Sequence, residues 1–129
     1  MRILILCASL ILSLMITPAG FTQDRRAPDP CANAEQGLEL SNCIAGEYQR
    51  ADAELNTVYR QAMLKLNTEE HKTALRNAQR AWIEYRDSNC EYETHLFRQG
   101  GPSEQHRVVC MTRMSMERTR ELQEMLKDN

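Results

Sequence analysis

The sequence predicts an all-α domain: a three-helix up-down-up bundle with a short N-terminal helix, stapled by two disulfides. Three observations lead there. Apolar residues recur at steps of three and four along three long stretches, no alternating strand pattern competes with them, and four cysteines remain once an N-terminal export segment is set aside. The 129 residues, with 16 Lys+Arg against 18 Asp+Glu, make one domain. A near-neutral balance of this kind lacks the clustered basic surface that displaces counterions from phosphates, so no nucleic-acid partner is expected.

The first segment, Met1 to about Ala19, carries Arg2, an apolar run from Ile3 to Ile16, and then Thr17-Pro18-Ala19-Gly20. This is the make-up of a secretory signal peptide. The apolar run is shorter than the roughly 20 residues that cross a bilayer. Cys7 sits inside the run behind Leu4-Ile5-Leu6, with no room for an apolar segment ahead of a lipid attachment. Residues 1–19 are therefore read as a cleaved signal, and the mature chain as periplasmic or secreted with no membrane anchor.

Residues 20–30 contain Asp24-Arg25-Arg26-Ala27-Pro28-Asp29-Pro30, a polar, proline-broken arm. The helical domain is placed at 31–127. Asp29 as N-cap, Pro30 in the first turn and Gly37 after the last predict a short helix over 30–36. The first long helix is read from Ile44, Tyr48, Ala51, Leu55, Val58, Ala62 and Leu66, an amphipathic stripe. Asn67 ends it, and Thr68 caps a second helix whose Glu69 and Glu70 suit the helix dipole. That helix shows a stripe of Leu75, Ala78, Trp82, Tyr85, Asn89, Tyr92 and Leu96 and ends near Phe97 or Arg98. Gly100-Gly101-Pro102 then stops the chain before a third helix, from Ser103 to about Lys127, lined by Met111, Met114, Arg118, Leu122 and Met125.

An antiparallel arrangement gathers Cys43, Cys90 and Cys110 at one end of the bundle. Pairing Cys31 with Cys43 and Cys90 with Cys110 is favoured, although sequence alone allows all three pairings, since Cys43 could instead reach across to Cys90 and leave Cys31 with Cys110. A Cys90–Cys110 bridge closes a loop of about 20 residues, worth about 3 kcal/mol by chain entropy. None of these spacings is the paired C-x-x-C of a zinc site, and His71, His95 and His106 are scattered; no metal or cofactor is expected. Glu91 and His95 read as a solvated pair at i, i+4. The stripes can be satisfied within three helices, which predicts a monomer or weak dimer.

No catalytic residue can be assigned. Asp52 and Glu54, Glu84 and Asp87, and Glu91 and Glu93 lie on charged faces with arginines a turn away, such as Arg50 and Arg80. They read as solvated ion pairs rather than as the flanking carboxylates of a glycosidase. The cysteines are taken up as disulfides, no serine lies in a glycine-flanked elbow, and Gly100-Gly101 lacks the lysine of a phosphate loop.

Two segments carry a resemblance. Ala51-Asp52-Ala53-Glu54-Leu55-Asn56-Thr57-Val58-Tyr59, and Gln79-Arg80-Ala81-Trp82-Ile83-Glu84-Tyr85-Arg86-Asp87-Ser88-Asn89-Cys90, resemble the LprI-like lysozyme-inhibitor family. Cys31, Cys43, Gly100-Gly101, Cys110 and Arg118-Thr119-Arg120-Glu121-Leu122 fall in the family's order, so the likeness spans about residues 31–126. It implies an exported, non-enzymatic helical domain that binds a protein, lysozyme, and blocks it. The family is named for a lipid-anchored member, and this chain lacks the lipobox. The alternative is an adaptor or immunity-type protein for another envelope protein or toxin. A third reading, an envelope hydrolase, has no supporting motif.

Read physically, Leu55, Tyr59, Trp82 and Tyr85 are candidates for the core. Asn56, Gln79, Arg86 and Asp87 are polar groups placed to hydrogen-bond between helices or to cap the second helix; Asp52 belongs to the first family motif and is read as a surface acid. Arg98, Gln99, Gly100, Gly101 and Ser103 form the candidate partner-binding loop, because a protruding glycine-rich turn can enter a cleft.

Overall fold

The computed structural model describes residues 29–97 and 103–128. Three helices make up the fold: α1 (Leu38–Lys65), α2 (Glu69–Phe97) and α3 (Ser103–Asp128). Residues 1–19, read as a signal, residues 20–28 of the arm expected at 20–30, and residues 98–102 lie outside the described residues. Among the described residues there is no strand, and no helix is long and apolar enough to cross a membrane.

The short helix expected over 30–36 is not formed. Asp29 does cap the segment, its Oδ1 accepting from the Cys31 amide at 2.9 Å. Only tight turns follow, with Ala32 N bonded to Asp29 O and Ala34 N to Cys31 O. The Cys31–Cys43 disulfide ties this segment to α1 with Cα atoms 5.9 Å apart, and Gly37 reverses the chain at φ 91°. That left-handed conformation is costly for any residue with a Cβ. α1 then begins at Leu38, six residues before the apolar stripe. Its first turn is solvent-facing, Leu38 being 77% exposed, and an exposed turn leaves no apolar period to read. The Ser41 hydroxyl holds this turn by donating to Gly37 O at 2.9 Å, and Gln105 of α3 donates to the Ser41 hydroxyl at 2.8 Å.

α1 ends at Lys65, with Leu66 extended. Thr68 caps α2 as expected: its hydroxyl accepts from His71 N at 3.2 Å, with Glu69 and Glu70 in the first turn. α3 opens at Ser103 with Glu104 in its first turn. α3 is the helix on which both others pack, while α1 and α2 approach each other least.

The core has two parts. Leu55, Val58 and Ala62 of α1 meet Leu75 and Leu122 at the end where α1 turns into α2, with Tyr59, Met63, Leu66 and Leu126 around them. At the other end Cys90, Cys110, Met111 and Met114 pack with Tyr48. Trp82 touches both clusters and joins them. Both expected disulfides are present, and Cys90–Cys110 is the buried one, with Cα atoms 5.5 Å apart and Cys90 wholly enclosed.

The face that α2 turns inward differs from the expected stripe. Leu75 is buried and Trp82 and Asn89 are partly so, but Tyr85, Tyr92 and Leu96 are 58%, 61% and 61% exposed, and Ala78 is exposed as well. Gln79, Arg86, Cys90 and Thr94 take the interior instead. The Cys90–Cys110 bond sets this rotation: with Cys90 pointed at α3, the residues four before and four after it must also point inward. Each polar member has a partner. The Thr94 hydroxyl donates to Cys90 O at 2.7 Å, and Gln79 and Arg86 reach α3.

At the start of α3, Arg107 donates to Glu104 at 3.0 and 2.5 Å. This hydrogen bond holds the Glu104 carboxyl below its usual range and raises Arg107. A depressed carboxylate adds stability above its unfolded pKa and loses it as pH falls through the folded value. Because both groups are largely solvated, the pair should contribute under ~1 kcal/mol. Acid titration of Glu104→Gln against the parent should show a small stability difference near neutral pH that vanishes at low pH. Replacing both Cys90 and Cys110 by Ala should cost about 3 kcal/mol in urea unfolding.

Candidate functional site

The polar residues of the two motifs converge on Arg86. Its position on α2, one turn before Cys90, turns it into the bundle, where it is 6% exposed. Burial of a guanidinium is tolerated only where its donors are met, since arginine keeps its charge. Arg86 Nε donates to Asp87 Oδ1 at 2.9 Å, and Nη2 lies 2.8 Å from the same oxygen. Nη1 donates to the Ser115 hydroxyl of α3 at 3.2 Å and lies 3.7 Å from Asp52 Oδ1 of α1. One side chain thus ties all three helices.

Aromatic rings complete the enclosure. Arg86 Cζ lies 5.3 Å from the Trp82 ring centroid and 6.0 Å from that of Tyr48. Arg118 of α3 approaches Trp82 as well, at 5.9 Å, so the indole has two guanidinium neighbours, an arrangement favoured by the ring quadrupole. Arg118 is fixed by buried Gln79, whose Oε1 accepts from its Nε at 3.0 Å, and by Glu121 at 2.7 Å. Asn56 steadies Asp52 by donating to Oδ2 at 3.0 Å and to the Asp52 carbonyl at 2.9 Å.

The structure therefore brings Asp52, Asn56, Gln79, Trp82, Arg86 and Asp87 into one connected network. Leu55 and Tyr59 sit beside it in the lower core. Gln79 and Arg86 bond across to α3 as expected, whereas Asn56 bonds within α1 and Asp87 to its neighbour; none of them caps α2. Tyr85, expected in the core, is exposed. Arg98 to Gly101 lie outside the described residues, and Ser103 opens α3.

Sequence reasoning missed Tyr48, Ser115 and Arg118 as members of the network. Tyr48 and Arg118 were visible only as stripe positions. Ser115 gave no sequence signal: it is a wholly buried small residue whose worth lies in letting Arg86 come close. Chemically, both carboxylates beside Arg86 are committed to one cation, which makes the cluster a clamp for three helices. Of the outlying acids, Glu91 pairs with His95 at 3.2 Å and Glu93 with Arg113 at 3.0 Å, whereas among the described residues Glu54 and Glu84 do not pair with Arg50 and Arg80 as expected, and Arg50 turns to Glu47 instead. Among the described residues no three His, Cys, Asp or Glu side chains group as metal ligands.

The family model described as lysozyme inhibitor LprI matches residues 29–122, which takes in both disulfides and the whole Arg86 network. Uncharacterized protein R02472 of Rhizobium meliloti (strain 1021) is 32% identical over 112 residues, covering 77% of this chain and 81% of its own. Uncharacterized protein YecT of Escherichia coli (strain K12) is 31% identical over 98 residues, covering 65% of this chain and 60% of its own. No solved structure matches.

Removing Arg86 strands two carboxylates and opens the space between Trp82 and Tyr48. Arg86→Ala should destabilise the oxidised protein by about 3 kcal/mol, the lower end for a broken buried pair, because Asp52 and Asp87 remain 41% and 50% exposed. Arg86→Lys should recover little, since an ammonium cannot match the forked geometry. Asp52→Asn should cost under ~1 kcal/mol. Urea unfolding with the disulfides intact measures all three.

Proposed function

The chain belongs to the lysozyme inhibitor LprI family, and from that membership we propose that it is an exported protein-binding domain that inhibits a lysozyme by occupying its cleft. The match over residues 29–122 is the observation that carries this reading. Blocking a cleft requires a rigid body of complementary shape and no chemistry of its own. Two disulfides and a clamp on three helices supply such a body, with the motif residues spent on holding it together.

Export to the periplasm or the exterior is supported by the make-up of residues 1–19 and by the disulfides, which persist in oxidising compartments. The proposed contact is the segment Arg98 to Ser103, which joins α2 to α3 just beyond the Cys90–Cys110 staple. The competing reading, an adaptor or immunity-type protein with another envelope partner, shares the architecture and differs only in target.

Titration of the oxidised protein into lysozymes of several types, following cell-wall lysis and heat of binding together, separates the two. Inhibition should saturate at one-to-one stoichiometry. A folded, fully oxidised sample that binds no lysozyme would give the lead to the adaptor reading. Replacing Gly100 and Gly101 by bulky residues should abolish inhibition with the fold retained; undiminished inhibition would exclude the loop.

A further inference from the structure

α2 has a second regular face that its own fold leaves uncovered. Ala74, Ala78, Ala81, Tyr85, Ser88 and Tyr92 succeed one another at steps of four, three, four, three and four, and every one is exposed. This is the spacing of a coiled-coil seam, carried for about 33 Å at ~1.5 Å per residue when His95 is included. Its small residues allow close approach of another helix, and its two tyrosines are large anchors of the kind enriched at interfaces. No Asp, Glu, Lys or Arg falls on it.

The charges beside the seam indicate what covers it. On one flank stand Glu84 and Glu91 of α2. The opposite flank is bounded by α3, which carries Arg120 and Arg113, the latter already paired with Glu93 and Glu117 of its own chain, as Glu91 is with His95. Neither Glu84 nor Arg120 has an ion-pair partner among the described residues. The pairing of Cys90 with Cys110, Arg86 with Ser115 and Gln79 with Arg118 fixes the register of α2 on α3. In that register Arg113 and Arg120 lie within about one helical turn of the levels of Glu91 and Glu84.

We propose that this face is the interface of a symmetric dimer in which two copies pair α2 against α2 in parallel, about a two-fold axis running along the helices. A two-fold of that direction exchanges the flanks, so the acidic edge of each copy meets the α3 arginines of the other. Antiparallel pairing would set Glu84 and Glu91 against their own counterparts. Tyr85 and Tyr92 each stack on their equivalents, and Ser88 faces Ser88 of the second copy. A seam one helix wide buries less than a standard interface, which makes the dimer concentration-dependent.

Sedimentation of the oxidised, exported protein from ~1 µM to ~1 mM tests this. A reversible monomer–dimer equilibrium is expected, weakened ~10-fold or more by Tyr85→Glu; Tyr85 is exposed, so helicity and disulfide content should be unchanged. Glu84→Arg alone should weaken the dimer, and adding Arg120→Glu should restore it. Ser88→Cys should crosslink two copies on mild oxidation, as parallel, in-register pairing requires. A protein that stays monomeric throughout, a dimer indifferent to Tyr85→Glu, or a dimer that Ser88→Cys fails to crosslink overturns the proposal. So does a Tyr85→Glu variant of unchanged mass that no longer inhibits lysozyme, because the seam would then belong to the other protein.

Discussion

The burial of one permanent charge organises this molecule. Arg86 is enclosed by Trp82 and Tyr48 and satisfied by Asp87, Asp52 and Ser115, and these residues come from all three helices. A guanidinium cannot escape desolvation by losing its proton, so the helices must keep the positions that meet it. Hydrophobic contact alone tolerates sliding between packed helices. A planar group with directional donors does not, and this is how a small core of alanines, leucines and methionines acquires one arrangement.

The same constraint explains what was legible in the sequence. Helix existence and type followed from the apolar steps, and Thr68 announced its cap, because both depend on local chemistry. The disulfide pairing was favoured on placement alone. The rotation of α2 was misread because the helix bears two regular faces. The one with the cleaner apolar period, through Ala78, Tyr85 and Tyr92, is exposed, while the buried one holds Gln79, Arg86 and Thr94, residues that read as surface until their partners on α3 are known. A periodicity argument ranks faces by hydrophobicity and cannot see a hydrogen bond to another helix. The start of α1 and the turns at 30–36 were missed for a related reason: solvent-facing backbone is shaped by a disulfide and a left-handed glycine, not by burial.

Membership of the lysozyme inhibitor LprI family rests on residues whose work in this molecule is mechanical. The motif residues Asp52, Trp82, Arg86 and Asp87 belong to the clamp, so a motif match reports the scaffold more directly than it reports the target. Relatives that share the scaffold can differ in what they bind, because the outer side of α2 lies outside the network that defines the fold.

The buried position of the Cys90–Cys110 bond also has a bearing on timing. In a reducing compartment both sulfurs are thiols, and the loop-closure entropy that the bond removes from the unfolded chain is restored to it. A domain of this size has little margin to spare, so the reduced chain stands closer to its folding threshold. Oxidation then acts as a latch, and the rigid shape comes into being only where the surroundings keep the bond formed.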